Sequence, residues 1–258
     1  MQLPIYQVDA FTSRVFGGNP AAICPLEEWL PAETMQAIAA ENNLSETAFF
    51  VPEGDRYRLR WFTPAREVEL CGHATLAAAH LILNRLQPGR EAVTFDSLSG
   101  ELIVKRDGER LAMDFPSRPP KPADLPREAI RAIGGAPLET LEGQYPMVVF
   151  GSEQEVRALD PDMRRLARAL PSVIVTGPGD EVDFVSRFFA PGFGIDEDPV
   201  TGSAHCTLIP FWAQRRCKWW LSARQVSKRG GELYCEDRGQ RVLIAGQAVL
   251  YMEGRIEI

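Results

Sequence analysis

The chain has 258 residues, of which 45% are hydrophobic and 24% charged, with a formal net charge of -7. That length gives one large domain or two medium ones, and the apolar content excludes an intrinsically disordered chain. The 28 basic residues are scattered among 35 acidic ones, so nucleic acid and anionic membranes are not expected partners. No apolar run reaches the length of a spanning helix. The N-terminal Met1-Gln2-Leu3-Pro4 has no basic region ahead of an apolar stretch, so a cytoplasmic location is expected. The 5 cysteines are odd in number and not tightly spaced, unlike a disulfide framework.

In chain order, residues 3–11 and 20–24 read as strands around the turn Phe16-Gly17-Gly18-Asn19-Pro20. Pro31 opens a helix to about Glu41, with Met35, Ile38 and Ala39 on one face, and Asn42-Asn43 stops it. Residues 45–51 read as a strand. Residues 56–62 alternate Arg56, Arg58 and Arg60 with Tyr57, Leu59 and Trp61, a half-buried strand. An Ala-rich helix is predicted over Thr75–Leu86, and a hairpin turns at Asp107-Gly108. The proline-rich stretch from Ser117 to Pro126 is the expected linker. Beyond it, helices are predicted near 126–133, 160–170 and 203–213, and strands at 146–150, 172–176 and 182–190. Runs of strands with few helices indicate an α+β fold.

One pattern organises the chain. Arg60-Trp61-Phe62-Thr63-Pro64 recurs as Arg187-Phe188-Phe189-Ala190-Pro191, 127 positions later. A Gly turn ahead of a helix follows each copy: Cys71-Gly72-His73-Ala74, then Thr201-Gly202-Ser203-Ala204 at an offset of 130. The second copy therefore carries three extra residues. Two similar halves are implied, each presenting a helix N-terminus; if they face each other, both ends point into one cleft. Such an end is a ready anion site, able to hold a carboxylate and stabilise enolate-like charge beside it. Proton abstraction there also needs an acid and a base. Glu46, His73 and Asp198 are the candidates, although each also has a structural reading: a solvated strand start, a helix residue and a turn or cap residue.

Several separated segments carry a specific resemblance. They are Asp9-Ala10-Phe11 with Phe16-Gly17-Gly18-Asn19-Pro20; Asn43-Leu44-Ser45-Glu46-Thr47-Ala48-Phe49; Arg60-Trp61-Phe62-Thr63-Pro64; Glu69-Leu70-Cys71-Gly72-His73-Ala74-Thr75; and Asp198-Pro199-Val200-Thr201-Gly202-Ser203-Ala204. Together they resemble the phenazine biosynthesis PhzF-like isomerases and, more distantly, diaminopimelate epimerase. The resemblance implies two pseudo-symmetric epimerase-like domains, each an open β-barrel around a central helix. The expected boundaries are 1–116, completed by about 248–258, and 117–247. It also implies a homodimer without metal or organic cofactor, acting on a small anionic substrate in the interdomain cleft. Matched residue by residue, the acid/base carboxylate falls on Glu46, and its companions on His73, Asp198 and Ser203. The turn geometry and the resemblance together assign Asn19, Gly72, Ala74 and Gly202 to substrate binding.

The chain departs from the epimerases, which oppose two cysteines. Cys71 is kept, but its counterpart is Thr201, so chemistry on one face through Glu46 is expected and Cys71 is read as a remnant of the fold. Cys206 is expected in the core. The polar turn Ser227-Lys228-Arg229-Gly230-Gly231 reaches the cleft or is a plain hairpin. Competing readings are a metal hydrolase, a Cys71–His205 nucleophilic enzyme, a non-catalytic binding protein and an amino-acid epimerase or racemase. No HExxH or CxxC spacing supports a metal site.

Overall fold

The computed structural model describes residues 1–258. The chain divides into two compact units, Met1–Asp114 with Ala245–Ile258, and Phe115–Ile244. Each unit is sheet-rich with few helices, an α+β architecture.

In the first unit the strand Gln2–Ala10 is antiparallel both to Ala248–Glu257 and to Asn19–Pro25. Asn19–Pro25 is parallel to Glu46–Glu53, which is antiparallel to Arg56–Phe62. The other edge of Arg56–Phe62 is shared by Glu67–Val68, antiparallel, and Ala92–Ser97, parallel. Gly100–Asp107 and Arg110–Pro116 follow as antiparallel neighbours.

The second unit repeats this order. Glu139–Glu142 is antiparallel to Pro146–Val149, which is parallel to Val173–Pro178, itself antiparallel to Phe184–Ala190. The other edge of Phe184–Ala190 is again shared by a short antiparallel strand, Ile195–Asp198, and a parallel one, Trp220–Gln225. Gly231–Asp237 then pairs antiparallel with Trp220–Gln225. The stretch expected as a linker is partly ordered into the sheet: Lys121–Pro122 pairs with Leu141 and Glu142.

The repeat seen in the sequence is a repeat of contacts. The Arg60 guanidinium donates to Glu67 from Nε and Nη2 at 2.6 and 2.8 Å, and Arg187 donates to Glu197 in the same two-pronged way at 2.8 and 3.0 Å. Each guanidinium also lies over the aromatic ring two residues on, Phe62 or Phe189. The extra residues of the second copy fall in the 3₁₀ turn Pro191–Phe193 and its exit.

Each unit has a deeply buried helix whose first turn follows the Gly motif. The helix Gly72–Leu81 starts earlier than the Thr75 predicted, because Cys71 is extended and serves as its N-cap. Past Leu81 it loosens into the π turn Ile82–Leu86. It is buried all round, and its small residues Ala74, Ala77, Ala78 and Ala79 let strands approach closely. The helix Gly202–Arg216 continues through Pro210. Pro210 has no N–H to give the Cys206 carbonyl, and the Arg118 N–H takes that acceptor at 2.9 Å.

The outer helices cover apolar sheet faces. Ala32–Asn42 packs Met35, Ile38 and Ala39 against Leu3, Ile5, Ala22, Phe49 and Phe62, and ends at Asn43 in the left-handed region. In the second unit Arg127–Ile133 and Met163–Ala169 do the same over Val148, Val173, Val175 and Phe189. They are joined by Glu153–Ala158, a helix the sequence did not suggest, capped by Ser152.

Candidate active site

Asn19, Glu46, Cys71 and His73 of the first unit converge from three separated segments. Pairing of Asn19–Pro25 with Glu46–Glu53 sets Ala21 against Glu46, so Glu46 opens its strand beside the one that Asn19 begins. The loop between Ala10 and Asn19 is tightly constrained. Phe11 is buried yet left-handed at φ 61°, and the Phe16 N–H donates to the Asp9 carboxylate at 2.8 Å. Gly18 has φ +61°, and a Cβ there would meet the Ala10 carbonyl at 2.0 Å. Only glycine fits, and the strain held in the loop fixes where Asn19 emerges.

His73 is the hub. Its Nε2 lies 3.3 Å from Glu46 Oε2, and its Nδ1 lies 3.2 Å from Asn19 Nδ2 and 3.5 Å from Cys71 Sγ. With the Asn19 amide nitrogen facing Nδ1, the ring proton belongs on Nε2, toward the carboxylate. Burial pushes the His73 pKa down to about 3, so the imidazole is neutral at ordinary pH. It faces Glu46 as a neutral ring, not as a cation. The 3.3 Å approach is a polar contact without hydrogen-bond geometry, since His73 Nε2 has no hydrogen-bond partner in the protein.

Glu46, Cys71 and His73 also form a donor cluster. One ligand atom from each lies within 4.8 Å of the others. Sequence spacing gave no sign of this, because Glu46 is on a strand and the other two flank a helix start.

The second unit presents a different set. Asp198 Oδ2 accepts from the Thr201 hydroxyl at 2.5 Å. Gln225, buried, braces the turn by accepting from the Thr201 N–H at 2.9 Å and donating to the Asp198 carbonyl at 2.7 Å. The Ser203 hydroxyl lies 3.1 Å from that of Tyr145, whose ring packs edge-on against Phe188. Ser227 donates to the Pro199 carbonyl at 2.8 Å and accepts from the Gly230 N–H, so the Ser227–Gly231 turn props the backbone beside Asp198. Tyr145 and Gln225 were missed in the sequence. A lone Gln within a strand gives no signal, and Tyr145 sits in an ordinary Gly-Gln-Tyr-Pro turn.

Both helix starts are held alike. The Thr75 hydroxyl donates to the Cys71 carbonyl at 2.6 Å, and His205 Nδ1 meets the Thr201 carbonyl at 2.8 Å. Each is four residues past its N-cap. A carbonyl only accepts, so His205 carries its proton on Nδ1; burial pushes its pKa down to about 4. Fully buried, His205 holds the Thr201 carbonyl through Nδ1, which leaves Nε2 as the unprotonated nitrogen of a neutral ring. Neither N-cap side chain caps its helix, so the first-turn N–H groups, including those of Gly72 and Ala74 in one unit and Gly202 in the other, lack an intrahelical acceptor and favour an anion. Cys206 is buried as expected, its thiol pushed up to about 12.

The family model described as phenazine biosynthesis-like protein, PhzC-PhzF, matches residues 8–254. The chain belongs to this family. It is 54% identical, over the whole of both chains, to a Pseudomonas aeruginosa protein named as an uncharacterized isomerase. It is 39% identical, over 99% of each chain, to the human phenazine biosynthesis-like domain-containing protein. The crystal structure of a PhzF-family protein from Enterococcus faecalis matches over 100% of both chains at a TM-score of 0.97 and 48% identity. A hydroxyproline epimerase from Agrobacterium vitis shares the fold at a TM-score of 0.63, covering 99% of this chain and 91% of its own, at 11% identity. The relatives place the chain in an isomerase family with an epimerase-like fold. No helix is long and apolar enough to cross a membrane.

Proposed function

We propose that this PhzC-PhzF family member is a cofactor-independent isomerase that shifts a proton on a small carboxylate-bearing substrate, with Glu46 as the general acid/base. The observation that carries this is the contact of Glu46 with a buried, neutral His73 at 3.3 Å. A neutral imidazole can steady the carboxylate without the full electrostatic pull of an imidazolium, which would weaken Glu46 as a base. Glu46 takes a proton from one carbon and returns it to another on the same face, so that no net proton is consumed. His73, held by Asn19, orients the carboxylate. The N–H groups of Gly72 and Ala74 receive the substrate carboxylate and offset the charge that develops beside it.

Asp198, Ser203 and Gly202 are given shares in the same reaction because they occupy the second copy of the turn; Ser203→Ala and Asp198→Asn test this through kcat and KM. Homodimeric assembly and a cytoplasmic location belong to the same reading, and light scattering reads the first.

The test is solvent deuterium uptake. Wild type and Glu46→Gln are incubated in D2O with cyclic and linear amino acids and their unsaturated analogues, and products are read by mass spectrometry. Uptake with wild type alone supports the reading. Equal uptake by both removes Glu46 from the base role. A second reading, a two-base epimerase or racemase, draws on the 3.5 Å contact between Cys71 and His73. It predicts that Cys71→Ser is as damaging as Glu46→Gln and that the product is the opposite stereoisomer.

A further inference from the structure

We propose that the cluster of Cys71, His73 and Glu46 is also an inhibitory site for a thiophilic divalent cation, with Zn²⁺ the fitting ion. The proposal that binding inhibits rests on the function proposed above; the proposal that the ion binds does not.

The donor set is the first reason. One thiol, one imidazole and one carboxylate supply the S, N and O ligands that zinc takes, and sulfur with imidazole disfavours magnesium and calcium. Their ligand atoms lie within 4.8 Å of one another. Zinc bonds of about 2.0–2.3 Å in tetrahedral geometry set ligands roughly 3.3–3.8 Å apart. Cys71 Sγ and His73 Nδ1, at 3.5 Å, already have that spacing. Glu46 now faces the other ring nitrogen at 3.3 Å, so its carboxylate must swing toward the sulfur side. Its side chain has three rotatable bonds and is 19% exposed, which gives it both the freedom to move and a path for the ion. Asn19 faces Nδ1 through its amide nitrogen at 3.2 Å. A half-turn of that amide conserves volume and offers its oxygen as a fourth donor.

The binding step balances simply. The Cys71 thiol gives its proton to solvent, and the thiolate sulfur bonds the ion with no change of oxidation state. Neutral His73 needs no deprotonation to offer Nδ1, but its proton stays on Nε2. Inhibition follows because the ion engages the same carboxylate that must accept the substrate proton.

The chain's other thiols make the site readable. Cys24 and Cys206 are buried with thiols pushed up to about 12, and Cys235 is pushed higher still. Cys217 is exposed and serves as the control.

The experiment titrates the metal-free protein with Co²⁺ in place of Zn²⁺ and follows the thiolate-to-cobalt charge-transfer absorption. Expected is a band saturating at one ion per chain, bleached by Zn²⁺, lost in Cys71→Ser and kept in Cys217→Ser. In wild type alone, Zn²⁺ is expected to slow iodoacetamide alkylation of Cys71, mapped by peptide mass spectrometry, and not that of Cys217; this arm does not depend on how the variant folds. No band with wild type, a band that survives in Cys71→Ser, or measurable alkylation of the buried Cys71 that is equal with and without Zn²⁺ overturns the site. Deuterium uptake is then measured with and without Zn²⁺. Uptake restored by a chelator supports inhibition, whereas full uptake by the zinc-loaded protein overturns it while leaving the binding site standing. A protein that binds Co²⁺ but shows no uptake at all in metal-free form instead contradicts the proposed isomerase.

Discussion

The two helix-opening turns share a frame and differ in chemistry. Each follows an Arg clamped to a Glu, Arg60 to Glu67 in one unit and Arg187 to Glu197 in the other. In each, the residue four past the N-cap binds the N-cap carbonyl. The strand registers align the rest. Phe62 pairs with Thr47, and Phe189 pairs with Val173, so the position of Glu46 in the first unit corresponds to Ser172 in the second. Trp61 pairs with Val68, and Phe188 pairs with Asp198, so the acid of the second unit stands where the first has a valine. Cys71 and His73 become Thr201 and Ser203. The frame contacts are retained in both copies and the reactive groups are not. The first unit gathers a carboxylate, an imidazole and a thiol, and the second a carboxylate and hydroxyl groups.

Substitutions at matched positions break or sharpen that contrast. The largest effect is expected at the carboxylate. Glu46→Gln should lower proton exchange by about 10²–10⁴-fold, the usual scale of general acid–base catalysis, whereas Ser172→Ala at the matched place should change it little. Equal losses at both would make the two units chemically equivalent.

Stability should fall as the solution is made acid. An imidazole held below its unfolded pKa of about 6.5 refuses a proton that the unfolded chain accepts. Above pH 6.5 both states are neutral and nothing is lost. Below it, His73, His80 and His205 each oppose protonation, down to about 3, 4 and 4. Each therefore removes stability as the pH falls from about 6.5 toward its folded value. Urea midpoints should therefore drop between pH 7 and pH 5, with a shallower drop in His205→Gln; a slope unchanged in that variant would count against its buried neutral state.

The frame itself should fail symmetrically. Arg60→Met and Arg187→Met each remove a two-pronged contact and should each cost ~1.5–3 kcal/mol, read as matching shifts in urea midpoint. A neutral result at one site alone would show that only one clamp supports its unit. The smallest effect is expected from Thr75→Val, which keeps shape and loses one hydrogen bond, at about 1 kcal/mol.

Much of this was legible in the sequence because it rests on local rules. Period-two alternation placed Arg56–Phe62, and proline and paired asparagines bounded Ala32–Asn42. The offset repeat exposed the duplication. The helix at Gly72 was placed late because an extended cysteine makes a weak cap signal. What sequence could not supply were contacts between segments far apart in the chain. The approach of Glu46 to His73 depends on strand register, and the gathering of both with Cys71 into a donor cluster is invisible to motif spacing. Gln225 was missed for the same reason: its role exists only because its strand runs parallel to Phe184–Ala190 beside the second turn.

The most direct test of where the chemistry resides compares solvent deuterium uptake in Glu46→Gln, Cys71→Ser and wild type under one set of conditions. Uptake kept in Cys71→Ser and lost in Glu46→Gln is the predicted result. Uptake lost in Cys71→Ser and kept in Glu46→Gln would move the base to the thiol and contradict the assignment.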